Sequence, residues 1–175
     1  MLEIGGILLT EEQIQEKGKK LAKQVEKEFA GEELYVVGIL KGACIFVSDL
    51  IRHIDLDVKI DFMSLSSYGM SLESSGVVKI IKDLDMDVED KNVLIVEDII
   101  DTGLTIDYLK NYLYARKCKK LKICTLLDKP EGRKCDVKAD FTGFHLPDEF
   151  IIGYGIDCQE SYRNLPYIAF VNQDK

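Results

Sequence analysis

The sequence predicts an α/β fold, a mainly parallel central sheet flanked by helices, with a small hood region added by the chain's ends. Three observations lead there. The runs LYVVGIL (Leu34–Leu40) and NVLIV (Asn92–Val96) are continuously apolar, which suits strands buried on both faces rather than half-exposed ones. Each is followed within a few residues by a helical pattern. Strand, helix and strand then succeed one another between Asn92 and Leu127 with short loops, as a right-handed crossover unit does.

The elements follow in order. Thr10 begins the first helix, with Gln13 three residues on as its capping-box partner. Ile14, Leu21, Val25 and Phe29 carry its apolar face at roughly helical spacing. After Leu34–Leu40 and the pair Lys41-Gly42, a second helix is expected from Ala43 to about Arg52. Val58–Phe62 alternates like a strand, and Gly76–Ile81 reads as another. A helix over Leu104–Arg116 and a strand over Leu121–Leu127 come after Asn92–Val96. Phe141–Phe144, Phe150–Gly153 and Tyr167–Val171 read as short strands. No repeat, low-complexity tract or Pro/Gly linker divides the 175 residues, so one domain is expected: a core over about 30–140, and a hood from the N-terminal segment and about 141–175.

Composition narrows the function classes. Lys and Arg total 23 against 31 Asp and Glu, a net charge of −8, which argues against a nucleic-acid partner needing a basic footprint. No apolar run approaches the roughly 18 residues of a membrane span, and the start, MLEIGGILLTEEQ, lacks the basic region of a secretory signal. Cys44, Cys118, Cys124, Cys135 and Cys158 are scattered and odd in number, and His53 and His145 stand alone. A zinc site or a disulfide framework is therefore not expected, and the default is free thiols in a cytoplasmic protein.

The chemistry concentrates in Val93–Thr105. A buried strand ends in Glu97-Asp98, a third acid follows at Asp101, and a Thr-Gly-x-Thr turn (Thr102, Gly103, Leu104, Thr105) opens a helix. Free N–H groups and the positive dipole end at a helix start bind an anion such as phosphate. A P-loop is excluded, since only one glycine is present and Leu104 stands where its lysine belongs. Three spaced glycines for a dinucleotide fingerprint are missing too, which leaves a loop sized for one monophosphate. Adjacent carboxylates beside such a loop suit a vicinal diol, as in ribose, with Asp101 left for proton transfer.

Val93–Thr105 resembles the phosphoribosyl-pyrophosphate signature of the type I phosphoribosyltransferases, and its Glu-Asp-Ile-Ile-Asp-Thr-Gly form is similar to the hypoxanthine–guanine branch. The resemblance runs from Leu34 to Val171 in order and spacing. It takes in Leu40-Lys41-Gly42, Ser67-Tyr68, Leu127-Asp128-Lys129-Pro130, Phe150–Tyr154, and Asp157 with Arg163.

The resemblance implies transfer of a phosphoribosyl group from phosphoribosyl pyrophosphate to a 6-oxopurine. It places Glu97 and Asp98 at the ribose hydroxyls, Asp101 near the purine N7 as general acid/base, and Asp101–Thr105 at the 5′-phosphate. Lys41, Gly42 and Arg163 go to pyrophosphate, with a non-proline cis peptide often found in the Leu40-Lys41-Gly42 turn. Lys129 goes to the 6-oxo group, Phe150 to stacking on the base, Ile151 to backbone contacts, and Asp157 to metal or purine-side contacts. Ser66–Gly76 has a mobile lid's Gly/Ser-rich composition, with Ser67 and Tyr68 as the closing pair. A polyanionic substrate beside several carboxylates calls for Mg²⁺, with Glu97, Asp98 and Asp157 as its candidate protein ligands. The family commonly forms dimers or tetramers. Two rivals stay open: a non-catalytic sensor of phosphoribosyl pyrophosphate that binds nucleic acid, and a transferase preferring xanthine or a pyrimidine.

Two features are set aside. Asp83-x-Asp85-x-Asp87 lacks the glycine and the twelfth-position glutamate of a calcium loop, and reads as a solvated connector. The cluster Arg116, Lys117, Lys119, Lys120 and Lys122 falls at a helix end, where compensation of the macrodipole accounts for it.

Overall fold

Alternation along the buried strands decides the layering. The structure, a computed structural model, describes residues 3–67 and 78–172. In chain order the elements are β1 (Glu3–Leu9), α1 (Glu11–Glu28), β2 (Leu34–Leu40), α2 (Cys44–Ile51), β3 (Val58–Ser67), β4 (Val78–Lys82) and β5 (Asn92–Ile100). Then come α3 (Leu104–Ala115), β6 (Lys120–Asp128), a 3₁₀ turn (Pro130–Gly132), β7 (Phe141–His145), β8 (Ile151–Ile152) and β9 (Ile168–Asn172). The main sheet has the order β4-β3-β2-β5-β6-β7. All its neighbours pair in parallel except β4, which runs antiparallel at the edge.

Successive side chains of a strand face opposite sides. Val36, Leu94, Val96, Cys124 and Leu126 therefore pack with Ile14, Leu21 and Val25 of α1 and Phe46, Val47 and Leu50 of α2. Their neighbours Val37, Ile39, Val93, Ile95 and Ile123 pack with Ile106, Leu109 and Leu113 of α3 on the other side. Covering both faces is what makes LYVVGIL and NVLIV continuously apolar, and each such side chain contributes roughly 1.5–3 kcal/mol by its burial. The capping box of α1 is present, with the Gln13 N–H donating to Thr10 Oγ1 at 3.2 Å and the Thr10 N–H to Gln13 Oε1 at 2.9 Å.

Several differences from the sequence reading have physical causes. β5 does not stop at Val96: Glu97, Ile99 and Ile100 stay paired with Thr125, Leu127 and Asp128, because the neighbouring strand continues and offers ladder partners. β3 likewise extends past Phe62 to Ser67, against β2 and β4. β1 has no strand signal of its own, being weakened by Gly5 and Gly6. It forms on β9, with register shifts between Ile4 and Gly6 and between Ile7 and Leu9. The second sheet, β1-β9-β8, thus joins the two ends of the chain.

The lysine cluster after α3 is accounted for by specific carboxylates more than by the macrodipole. Lys119 meets Glu32 at 3.0 Å, Lys120 meets Glu28 at 2.9 Å, and Lys122 meets Asp140 at 3.3 Å. Lys119 and Lys120 hold the Glu32 and Glu28 carboxyls below their ordinary range. The 83–87 connector is also tied down rather than merely solvated. Buried Asp61 accepts from the Asp85 and Met86 N–H groups at 2.8 and 2.9 Å, while Asp83 accepts from Tyr112 and Arg116. No described helix is long and apolar enough to cross a membrane.

Candidate active site

Parallel strands end at one edge of a sheet, and ligands of α/β folds bind there. Three turns meet at this edge: Lys41-Gly42 after β2, residues 97–105 around the end of β5, and 129–133 after β6. The hood adds the segment 155–163.

The turn into α3 is built to take an anion. Gly103 is the N-cap residue with φ 82° and has no side chain to cap the helix, so beyond the Leu104 N–H its first turn presents open N–H groups. Thr102 stays local, accepting from the Leu104 N–H at 3.4 Å. A cavity of ≈ 260 Å³ lies against this turn, lined by Glu97, Ile99, Asp101, Thr102, Gly103 and Thr105 among others. The site residues Glu97, Asp101, Thr102, Gly103 and Thr105 are thus brought together. Leu104 contributes its backbone beside them.

Glu97 is buried at 7% exposure, and burial, then the charge of Asp98, pushes its carboxyl well above the ordinary carboxylate range. Burial raises Asp98 as well. A pair in this condition calls for a cation or for hydroxyl donors. Asp98 lies directly over Gly42, where a Cβ would overlap its carboxylate. Gly155, with φ 98°, lies in turn against the Gly42 carbonyl. The Lys41-Gly42 turn is therefore sandwiched between the acid pair and the hood, and the Leu40–Lys41 peptide is cis. Gly155→Ala combines a left-handed backbone with overlap on a main-chain oxygen, and is expected to cost about 2–4 kcal/mol in urea unfolding.

Lys41 and Arg163 converge. Lys41 Nζ lies 2.6 Å from Glu160 Oε2, and Arg163 Nη2 lies 3.2 Å from Glu160 Oε1 and 3.0 Å from Asp157 Oδ1. Arg163 Nη1 donates to the Gly155 carbonyl at 2.8 Å. After β6, Lys129 is buried at 7% exposure and its ammonium donates to the Glu149 carbonyl, next to Phe150. Phe150 is 44% exposed, whereas Ile151 is buried in β8. Glu97, Asp98 and Asp157 do not converge as a closed set: no group of three or more metal-ligating side chains is found among the described residues. Tyr68 and the greater part of the expected lid lie outside the described residues. The backbone of Ser67 ends β3.

Sequence reasoning missed Arg133. Its Nη1 donates to the Asp101 carbonyl at 2.7 Å, and its Nη2 donates to the buried carboxylate of Asp128. The Lys134 N–H supports the same turn by donating to the Thr102 carbonyl at 2.8 Å. The available signal was a basic residue shortly after Lys129, too common to single out. Arg133→Met would leave the buried Asp128 carboxylate facing His145 Nδ1, at 3.4 Å, without its guanidinium, and we expect a loss of about 3 kcal/mol in denaturant unfolding. The double variant with Asp128→Asn recovers part of it.

The fold and this edge define an α/β protein with an anion-binding helix start beside paired carboxylates, and comparison with known proteins gives its family. Residues 6–159 match the phosphoribosyl transferase domain, and the chain belongs to that family. It is 55% identical to a hypoxanthine-guanine phosphoribosyltransferase of Bacillus subtilis, over 95% of this chain and 93% of the relative. A protein of the same name from Aquifex aeolicus is 52% identical, over 98% of this chain and 99% of its own length. Among solved structures, a hypoxanthine-guanine phosphoribosyltransferase of Bacillus anthracis superposes with a TM-score of 0.94 at 58% identity, covering 97% of this chain and all of that one.

Proposed function

We propose that this protein is a purine salvage enzyme. It transfers the 5-phosphoribosyl group from phosphoribosyl pyrophosphate to hypoxanthine, and to guanine, releasing IMP or GMP and pyrophosphate. The observation that carries the reading is the cavity at the end of β5, where the open N-terminus of α3 faces Asp101 and buried Glu97. High-identity relatives bearing the transferase name support the same chemistry.

In this reading the α3 N–H groups, with Thr102 and Thr105, hold the 5′-phosphate. Glu97 and Asp98 accept from the ribose hydroxyls, which orients C1′. Lys41 and Arg163 hold pyrophosphate, together with the Gly42 backbone. On the other side of C1′, Phe150 stacks on the base, the Ile151 backbone borders it, and Lys129 donates to the 6-oxo group. As the N9–C1′ bond forms and the C1′–O bond to pyrophosphate breaks, Asp101 accepts the proton from N7.

The residues fit Mg²⁺: the donors are hard carboxylate oxygens, and buried Glu97 beside half-buried Asp98 concentrates negative charge at one place. Glu97, Asp98 and Asp157 would hold it together with substrate oxygens, because they form no closed set of their own. When bound, it neutralises charge on the leaving pyrophosphate. The enzyme acts in the cytoplasm as a homodimer or homotetramer, without nucleic-acid or membrane partners, and gel filtration reports the subunit count.

The test is incubation with phosphoribosyl pyrophosphate, Mg²⁺ and each of hypoxanthine, guanine, xanthine and adenine. IMP and GMP with stoichiometric pyrophosphate are expected. Turnover of xanthine alone, or salt-sensitive nucleic-acid binding without turnover, would overturn the reading.

A further inference from the structure

Glu160 bridges the two cations assigned to pyrophosphate, one carboxylate oxygen on each: Oε2 on Lys41 at 2.6 Å and Oε1 on Arg163 at 3.2 Å. We propose that Glu160 is a resident counter-anion, which pyrophosphate must displace and which returns as pyrophosphate leaves, so that it sets the affinity of this subsite. The inference rests on the assignment of Lys41 and Arg163 above and goes beyond it.

Three features of the molecule support this role. First, the contact contributes little to stability, since both Lys41 and Glu160 are about two-thirds exposed and exposed ion pairs are weak. Its consequence therefore falls on the availability of the cations. Second, the carboxylate is deliberately placed. Cys158 and Ser161 pair as a tight bridge, and the two residues at its tip, Gln159 and Glu160, both have positive φ, at 52° and 65°. Asn-Gly is the usual occupant of a turn with two left-handed residues. Here the Glu160 N–H donates to Asp157 Oδ2 at 2.8 Å, which holds the tip against Arg163's own partner. Third, Arg163 is anchored independently of Glu160 through Gly155 and Asp157. It stays in place when the carboxylate moves off.

A single carboxylate cannot match a polyanion that offers several oxygens to both cations, so abundant pyrophosphate displaces it and dilution lets it return. The carboxylate's charge competes throughout, and this weakens product retention. Glu160 is thus a positioning residue for Lys41, and removing its charge should strengthen pyrophosphate binding. A merely structural residue would do the reverse.

The experiment is titration calorimetry of inorganic pyrophosphate with Mg²⁺ into the whole protein, alongside steady-state kinetics. Glu160→Gln and Glu160→Ala should each tighten pyrophosphate roughly three- to tenfold, the strength of two exposed ion pairs. Both should also lower the KM for phosphoribosyl pyrophosphate and sharpen inhibition by added pyrophosphate. Unchanged or weaker binding in both variants would overturn the proposal while leaving the subsite intact. Arg163→Met serves as the control. It should weaken pyrophosphate, and if it does not, the subsite assignment falls as well.

Discussion

Asp101→Asn yields a folded protein whose turnover falls by about 10²–10⁴-fold, the usual weight of a positioned general acid/base. The substitution is nearly isosteric, and the contacts that hold residue 101 are made by its backbone. Arg133 Nη1 donates to its carbonyl, and Gly132 leaves room for the side chain where a Cβ would overlap the carboxylate. The amide keeps that shape and loses the capacity to accept a proton. KM for phosphoribosyl pyrophosphate should therefore stay within a few-fold, since the α3 turn and Glu97 are untouched. Steady-state kinetics with hypoxanthine separate the two parameters. Turnover equal to that of the parent would remove Asp101 from the proton-transfer role.

Lys129→Met should lower kcat/KM for hypoxanthine by about 10²–10⁴-fold, because a base carbonyl would then face an apolar side chain. Met fills nearly the same volume, so no large cavity opens. What disappears is a buried ammonium, held by the Glu149 carbonyl and 3.7 Å from Asp148 Oδ1. Discrimination against adenine should narrow along with the loss, as the donor that disfavours a 6-amino group is gone. Competition between hypoxanthine and adenine measures this ratio. Equal losses for both bases would indicate a structural role for Lys129 and refute its role in recognition.

Much of the site was legible because it is local. The apolar run of β5, the acids Glu97 and Asp98, Asp101 and the Thr-Gly-x-Thr turn lie within Val93–Thr105, so one stretch of chain displays strand, acids and helix start together. Gly42 was legible only as part of a motif. Its physical necessity, an Asp98 carboxylate packed over its Cα, joins two strands and is written in neither alone. Arg133 and Glu160 were missed for the same reason: charged residues in loops are common, and only their partners distinguish them.

From the sequence alone came the α/β class, both buried central strands and the run of acids with the Thr-Gly-x-Thr helix start at the end of β5. Periodicity, propensity and helix-start signals act over a few neighbouring residues. The tertiary structure alone decided the rest. It decided that β1 forms on β9, that the lysines after α3 are paired with acids, and that Lys41 meets Glu160 across 119 positions of chain. Such contacts depend on how layers pack and which loops share a sheet edge, and no local pattern encodes a partner that far away.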